Sequence, residues 1–216
     1  MGSKFISKKT KIGNNVYIGD NVKIYGETVI ESGVVIEDNC IIGKHSTKEI
    51  QLFRNNYKNK NCLIEDFVKQ KTIIGKDCYI GYGSNIFSGA KLNPGVEVEE
   101  YVRIGANSNI GMKTRIMYRA LIYNRVTIGK SCKISGFICN ETVLYDNVDF
   151  FGKTVHKYDR YTMKVYNKSP IIKNNVIIGF DAIIIGDVTI GEKTIIAPGV
   201  VITKSVADST IIFGNY

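Results

Sequence analysis

Every sixth residue over most of this chain is aliphatic. Ile12, Ile18, Ile24, Ile30, Ile36 and Ile42 keep the spacing first. Ile74, Ile80, Ile86, Leu92, Val98, Ile104, Ile110, Ile116, Ile122, Ile128 and Ile134 keep it through the middle, and Ile172, Ile178, Ile184, Ile190, Ile196 and Ile202 restore it later. All twenty-three are Ile, Leu or Val. An amphipathic helix repeats near 3.6 residues and a half-buried strand every 2, so neither produces a period of 6. Short internal repeats specify solenoids, and a six-residue unit fits a parallel β-helix.

With the aliphatic residue as position 1, position 5 is small nearly throughout, as at Val22, Cys40, Cys78, Ser84, Ala90, Ser108, Thr114, Ala120, Cys132, Val176, Ala182 and Thr194. Positions 5 and 1 lie two residues apart, so they share the inward side of one short strand while position 6 faces solvent. Positions 3 and 4 hold turn formers such as Asn14-Asn15, Ser32-Gly33, Ser88-Gly89, Pro94-Gly95, Asn174-Asn175 and Pro198-Gly199. Such residues accept positive φ or preset a bend. Three strand-and-corner units close a triangle. Adding looser units at Ile138, Leu144 and Phe150 gives about 26 units, hence 8 to 9 coils of 18 residues. The expected fold is an all-β triangular prism, roughly 40 Å long at ~4.7 Å per coil. One continuous core implies one domain over residues 1–216. Residues 44–72 and 156–170 fall off the beat and are expected to leave the prism as excursions, which in solenoids collect on one face.

No apolar run approaches 18 residues, so neither a transmembrane segment nor a signal peptide is expected. Five cysteines without a CxxC pair argue against a disulfide or zinc framework. Cys40, Cys78 and Cys132 read as small core fillers, and a reducing, cytoplasmic location fits. The net charge of +9 invites a nucleic-acid partner. In the basic and aromatic stretch Arg115–Arg125, however, Ile116, Ala120 and Ile122 keep the beat, so the rest are outward positions. No nucleic acid is expected, and the positive surface suits a phosphate-bearing donor or an acidic saccharide.

An aliphatic-Gly-x-x-small-x repeat resembles the hexapeptide-repeat acyltransferases. The last third, with Thr154-Val155-His156-Lys157, Pro170 to Gly179, Ile184 to Gly191 and Ile196 to Lys204, is similar to their galactoside and xenobiotic acetyltransferase branch. The resemblance implies a left-handed single-stranded β-helix, an exception to the usual right-handed crossover. It also implies a homotrimer with acetyl-CoA between neighbouring prisms. It places a catalytic base at His156, cofactor contacts at Thr203 and Lys204, backbone contacts to the pantetheine arm at Ala197 and Pro198, Phe180 beside the thiol end, and a sugar-binding asparagine at Asn124. The chain departs from the branch at Ile177, where a tryptophan is common, and at Gly214-Asn215-Tyr216, where a Gly-Asn-Pro tail is usual.

Acyl transfer from a thioester to a hydroxyl needs a base, and an imidazole serves near neutral pH. There are two histidines. His45 sits at a turn position and reads as solvated. His156 falls six after Phe150, where the beat fails, and a polar residue there is a functional candidate. A carboxylate (Asp159 is near in sequence) or a backbone carbonyl is expected to hold its second nitrogen. No cysteine is expected beside it, so the expected reaction is direct O-acetylation of a sugar or glycan hydroxyl. N-acylation of an amino-sugar acceptor and a non-catalytic β-helix module remain alternatives. Zinc chemistry of the γ-carbonic anhydrase kind needs three histidines, so no metal is expected. The repeats begin at Ile12, so no added nucleotidyltransferase domain is expected.

Overall fold

The computed structural model describes residues 3–57, 63–158, 161–162 and 168–214. It is an all-β, left-handed parallel β-helix of 29 short strands, most of them two residues long. Sheet A has ten strands, from Phe5–Ile6 to Val201–Ile202; sheet B has nine, from Lys11–Ile12 to Thr189–Ile190; sheet C has ten, from Tyr17–Ile18 to Ile211–Ile212. The chain visits A, B and C in turn. Each strand then pairs in parallel with its equivalent one coil on: Ile24 with Ile42, Ile86 with Ile104, Ile104 with Ile122.

A two-residue strand cannot satisfy its own amides, so each coil donates to the next. The N–H groups of Arg103, Gly105 and Tyr123 reach the carbonyls of Ala120, Ile122 and Ile138 at 3.0, 2.9 and 2.9 Å. Stacking places position 1 of every coil over position 1 of the last. Ile104, Ile110, Ile116 and Ile122 are wholly buried in one continuous cluster, while their position-6 neighbours face outward.

Position 5 is small because the corner leaves no room for more, and where it is polar it closes the corner. The Ser84, Ser108 and Thr114 hydroxyls donate to the carbonyls of Glu99, Tyr123 and Gly129 at 2.8, 2.9 and 2.8 Å. Position 4 turns the chain through the left-handed region, at Asn15, Asn39 and Asp77 (φ 54, 60 and 55°) and at Gly33 (φ 75°). Tyr101 and Arg125 accept the same conformation, at roughly 1–2 kcal/mol each. Inter-coil bonds from their N–H groups to the carbonyls of Tyr82 and Ala106, both 2.9 Å, offset this.

The prism holds about ten coils, more than the 8 to 9 expected. Ile6 and Ile212 extend the beat at either end, and Val206 pairs with Ile190. Three corners are also two residues short: Ile134 to Ile138, Phe150 to Thr154, and Ile202 to Val206. Gly136 (φ 89°) and Gly152 permit the first two, since a Cβ on either would collide with the carbonyl oxygen of Gly152 or Ala182. Thr154, not His156, therefore holds the inward place opposite Ile184.

The first excursion spans 45–71, because Lys44 and Thr72 still lie in strands. It contains a helix, Thr47–Asn56, started by a capping box between Ser46 and Glu49, and a short 3-10 helix, Ile64–Phe67. The buried Glu49 also accepts from the Ser88 hydroxyl at 2.6 Å, which ties the helix to the prism. His45 is not a solvated turn residue. It is buried, with its ring 4.6 Å from that of Tyr25, and burial lowers its pKa.

The four described cysteines are buried and unpaired. Desolvation pushes the Cys40, Cys78 and Cys132 thiols up to about 11. Their neutral form is thus favoured in the folded state: that stability is present below the unfolded thiol pKa and is lost as pH rises toward 11. Equilibrium denaturation across pH 8 to 11 should show this alkaline loss, flattened when all three become Ala, the residue the repeat uses at Ala90 and Ala120. Ile116→Ala leaves a cavity at a wholly buried position, and denaturant titration should read about 2–5 kcal/mol of lost stability.

Candidate active site

Both excursions leave the prism at one edge, where the chain passes from sheet A to sheet B. Asn124, Asn140 and His156 follow three successive sheet A strands along that edge, and Thr203-Lys204 follow the next strand but one. Asn124 lies two coils before His156, and Thr203 two coils after it, at ~4.7 Å per coil. Thr203 and Lys204 are exposed there. Between them Gly186 (φ 80°) lies under Lys157, leaving no room for a side chain of its own.

His156 is half-buried at the rim of an open cleft of about 280 Å³, walled by Tyr123, Phe137, Cys139, Asn140, Val155 and Tyr158. Its Nδ1 stands 3.5 Å from the Ser169 hydroxyl, which donates its only proton to the Asn140 carbonyl at 2.5 Å. Toward the ring, Ser169 can therefore only accept, so a neutral imidazole paired with it carries its proton on Nδ1 and its lone pair on Nε2. A serine relaying to a carbonyl thus occupies the place expected for a carboxylate or a direct carbonyl; Asp159 lies outside the described residues. Beneath the cleft, the Thr154 hydroxyl accepts the Cys139 N–H at 2.9 Å and meets the Thr142 hydroxyl at 3.2 Å. This buried network anchors the floor.

Asn124 is a corner brace. Its Oδ1 accepts the Ala106 N–H at 2.9 Å, and its own N–H donates to the Asn140 Oδ1 at 2.9 Å. Contrary to expectation, a thiol does line the His156 cleft: Cys139 is 3% exposed, with its sulfur 3.3 Å from the Thr142 hydroxyl. The sequence reading passed over Tyr123, Phe137, Asn140 and Ser169. The first two carry a signal, as aromatic residues next to the inward Ile122 and Ile138.

Phe180, Ala197 and Pro198 follow sheet C strands and lie on the opposite edge of sheet A. One chain does not bring them to His156. Phe180 is 64% exposed and stacks on Phe151 at 4.9 Å and 18°. Ala197 donates its N–H to the Ile212 carbonyl at 2.9 Å, and Gly179 packs against Pro198 too closely for a Cβ. A larger hollow of about 620 Å³ beside Lys11, Glu31 and Lys76 contains no histidine or cysteine. Among the described residues, no group of three His, Cys, Asp or Glu could hold a metal ion, and no helix is long and apolar enough to cross a membrane.

Two family models match the chain. One, for bacterial transferase hexapeptide repeats, covers residues 9–44 and 169–204; the other, for the hexapeptide repeat of succinyl-transferase, covers 71–111. Together they span more than half of it. The bifunctional protein GlmU of Clostridioides difficile is 28% identical over 155 residues, covering 65% of this chain and 33% of that protein. The Clostridium novyi GlmU is 26% identical over 205 residues, 94% of this chain and 39% of that one. The chain thus spans little more than a third of the length of these relatives. An Arabidopsis UDP-N-acetylglucosamine acyltransferase structure covers 94% of this chain and 67% of its own, at 13% identity and a TM-score of 0.38.

Asn124→Ala should leave the Ala106 N–H without its acceptor and cost about 1 kcal/mol. The check is chemical denaturation, where a structural brace lowers stability whether or not ligand is present.

Proposed function

With the chain a member of the bacterial transferase hexapeptide family, we propose that it transfers an acetyl group from acetyl-CoA to a hydroxyl of a sugar or glycan. The observation that supports this reading is the half-buried His156 at the rim of an aromatic-walled cleft, with its Nδ1 facing Ser169; on this reading its Nε2 is the base. Nε2 takes the acceptor proton as the acceptor oxygen attacks the thioester carbonyl carbon. Backbone N–H groups at a prism corner hold the tetrahedral oxyanion. The C–S bond breaks, and the departing CoA thiolate takes the proton back from the imidazolium. The protein forms no covalent intermediate, in keeping with a Cys139 thiol packed against Thr142.

Thr203 and Lys204 share the His156 edge, and Lys204 offers a point charge to a CoA phosphate. Phe180, Ala197 and Pro198 lie across sheet A from it. Their separation supports a donor site assembled from two copies of the chain, the edge of one facing the edge of the next, as in a homotrimer. On this reading Phe180 contacts the thiol end of acetyl-CoA, Ala197 and Pro198 line its pantetheine arm, and Asn124 sits at the acceptor side.

Released CoA thiol, measured with acetyl-CoA and a panel of saccharides, tests the reaction. His156→Ala should lower turnover by about 10² to 10⁴, while the acetyl-CoA-induced rise in thermal midpoint persists. Undiminished turnover in that variant removes the assignment.

A further inference from the structure

We propose that sheet A carries an acceptor track selective for anionic saccharides, in which Arg103 and Lys44 receive an acidic group and Tyr123 and Phe137 stack on the ring nearer His156. The position of the acceptor end rests on the acyl-transfer reading; the track itself does not. It is a column of alternating rings and cations. Lys44 Nζ lies 5.4 Å from the Phe87 ring, the Arg103 guanidinium sits 4.4 Å from Phe87 and 4.6 Å from Tyr123, and Tyr123 meets Phe137 at 4.9 Å. The column runs into the cleft that holds His156.

Charge along this face is one-sided. Among the described residues no strand of sheet A carries Asp or Glu, as in sheet B, whereas sheet C strands carry Glu97 and Asp149; the carboxylate on a sheet A cation, Asp181 on Lys153 at 2.9 Å, sits at the far end of the face. Arg115 and Arg125 are each held at 2.6 Å by Glu99 or Glu141. Arg103 is half-buried, and among the described residues no carboxylate pairs with it; its Nη1 donates to the Ile122 carbonyl at 2.9 Å. Lys44 donates to the Asn85 amide oxygen at 2.9 Å, again with no carboxylate partner among the described residues.

Burial lowers the pKa of both groups, and their mutual repulsion adds to this at Lys44. Two partly desolvated cations on one face, without a carboxylate, are a site that an external anion completes. A guanidinium has five donors, and among the described residues the Ile122 carbonyl takes one of them, so its fork remains available. The sandwich between two rings already fixes its plane, which reduces the ordering cost of binding. From the Arg103 strand to the His156 strand is three coils, ~14 Å. That length calls for an acceptor of more than one sugar ring, acidic at the Arg103 end.

The test uses the full chain and a glycan array pairing oligosaccharides that contain uronic or sialic acid with neutral ones of equal length. Wild type should favour the acidic members, more weakly as salt rises. Arg103→Gln and Lys44→Gln should each lower that binding about tenfold or more with unchanged thermal midpoints, and Arg103→Lys should recover part of it. His156→Ala should bind as wild type. Equal binding of neutral glycans, binding to none, or an Arg103→Gln effect on acetyl-CoA instead of the glycan would overturn the track. Arg103-dependent binding without thiol release removes the acyl-transfer reading and leaves the track standing; thiol release that ignores Arg103 does the reverse.

Discussion

No strand in this molecule can stand alone. Each is two to four residues long, and nearly every amide bond it makes runs to the coil above or below. The hexad repeat answers that constraint. It returns an aliphatic side chain to the same face every third unit, one rise further along the axis, so the bonds that pair the coils also stack the core. Everything functional is then an outward residue on a scaffold whose inward half is already committed.

The period was legible because it belongs to neither helix nor strand, and it marks the face of nearly every position from Ile12 to Ile42 and from Ile74 to Ile134. Register was harder. Each shortened corner shifts the count by two, and the one at Gly152 puts Thr154 rather than His156 inside. Glycines beside a break in the beat were the available hint. The helix Thr47–Asn56 also had a signal in Ser46-x-x-Glu49, a capping box that went unread. The burial of His45 is not legible in its turn position, because it comes from Tyr25, which is distant in sequence.

The candidate site was only partly legible for the same reason. A polar residue at a break in the pattern pointed to His156, but its supporting cast comes from other coils. Ser169 arrives from the far side of the excursion, and Asn140, Tyr123 and Phe137 from the coils before it. Neighbours along an edge are separated by a whole coil in sequence, so no local motif joins them. The assembly is visible only once the three faces are laid side by side. The same view separates Phe180, Ala197 and Pro198 from the histidine, a division that the linear motif conceals.

The equal rise of the coils gives the column the character of a ruler. Two groups on one face can be moved closer or further apart only by whole graduations, since a fraction of a coil would turn one of them to another side. The interval between the Arg103 guanidinium and the His156 imidazole is therefore quantised, and duplication or loss of one coil would reset the length of molecule that spans them while leaving both ends intact.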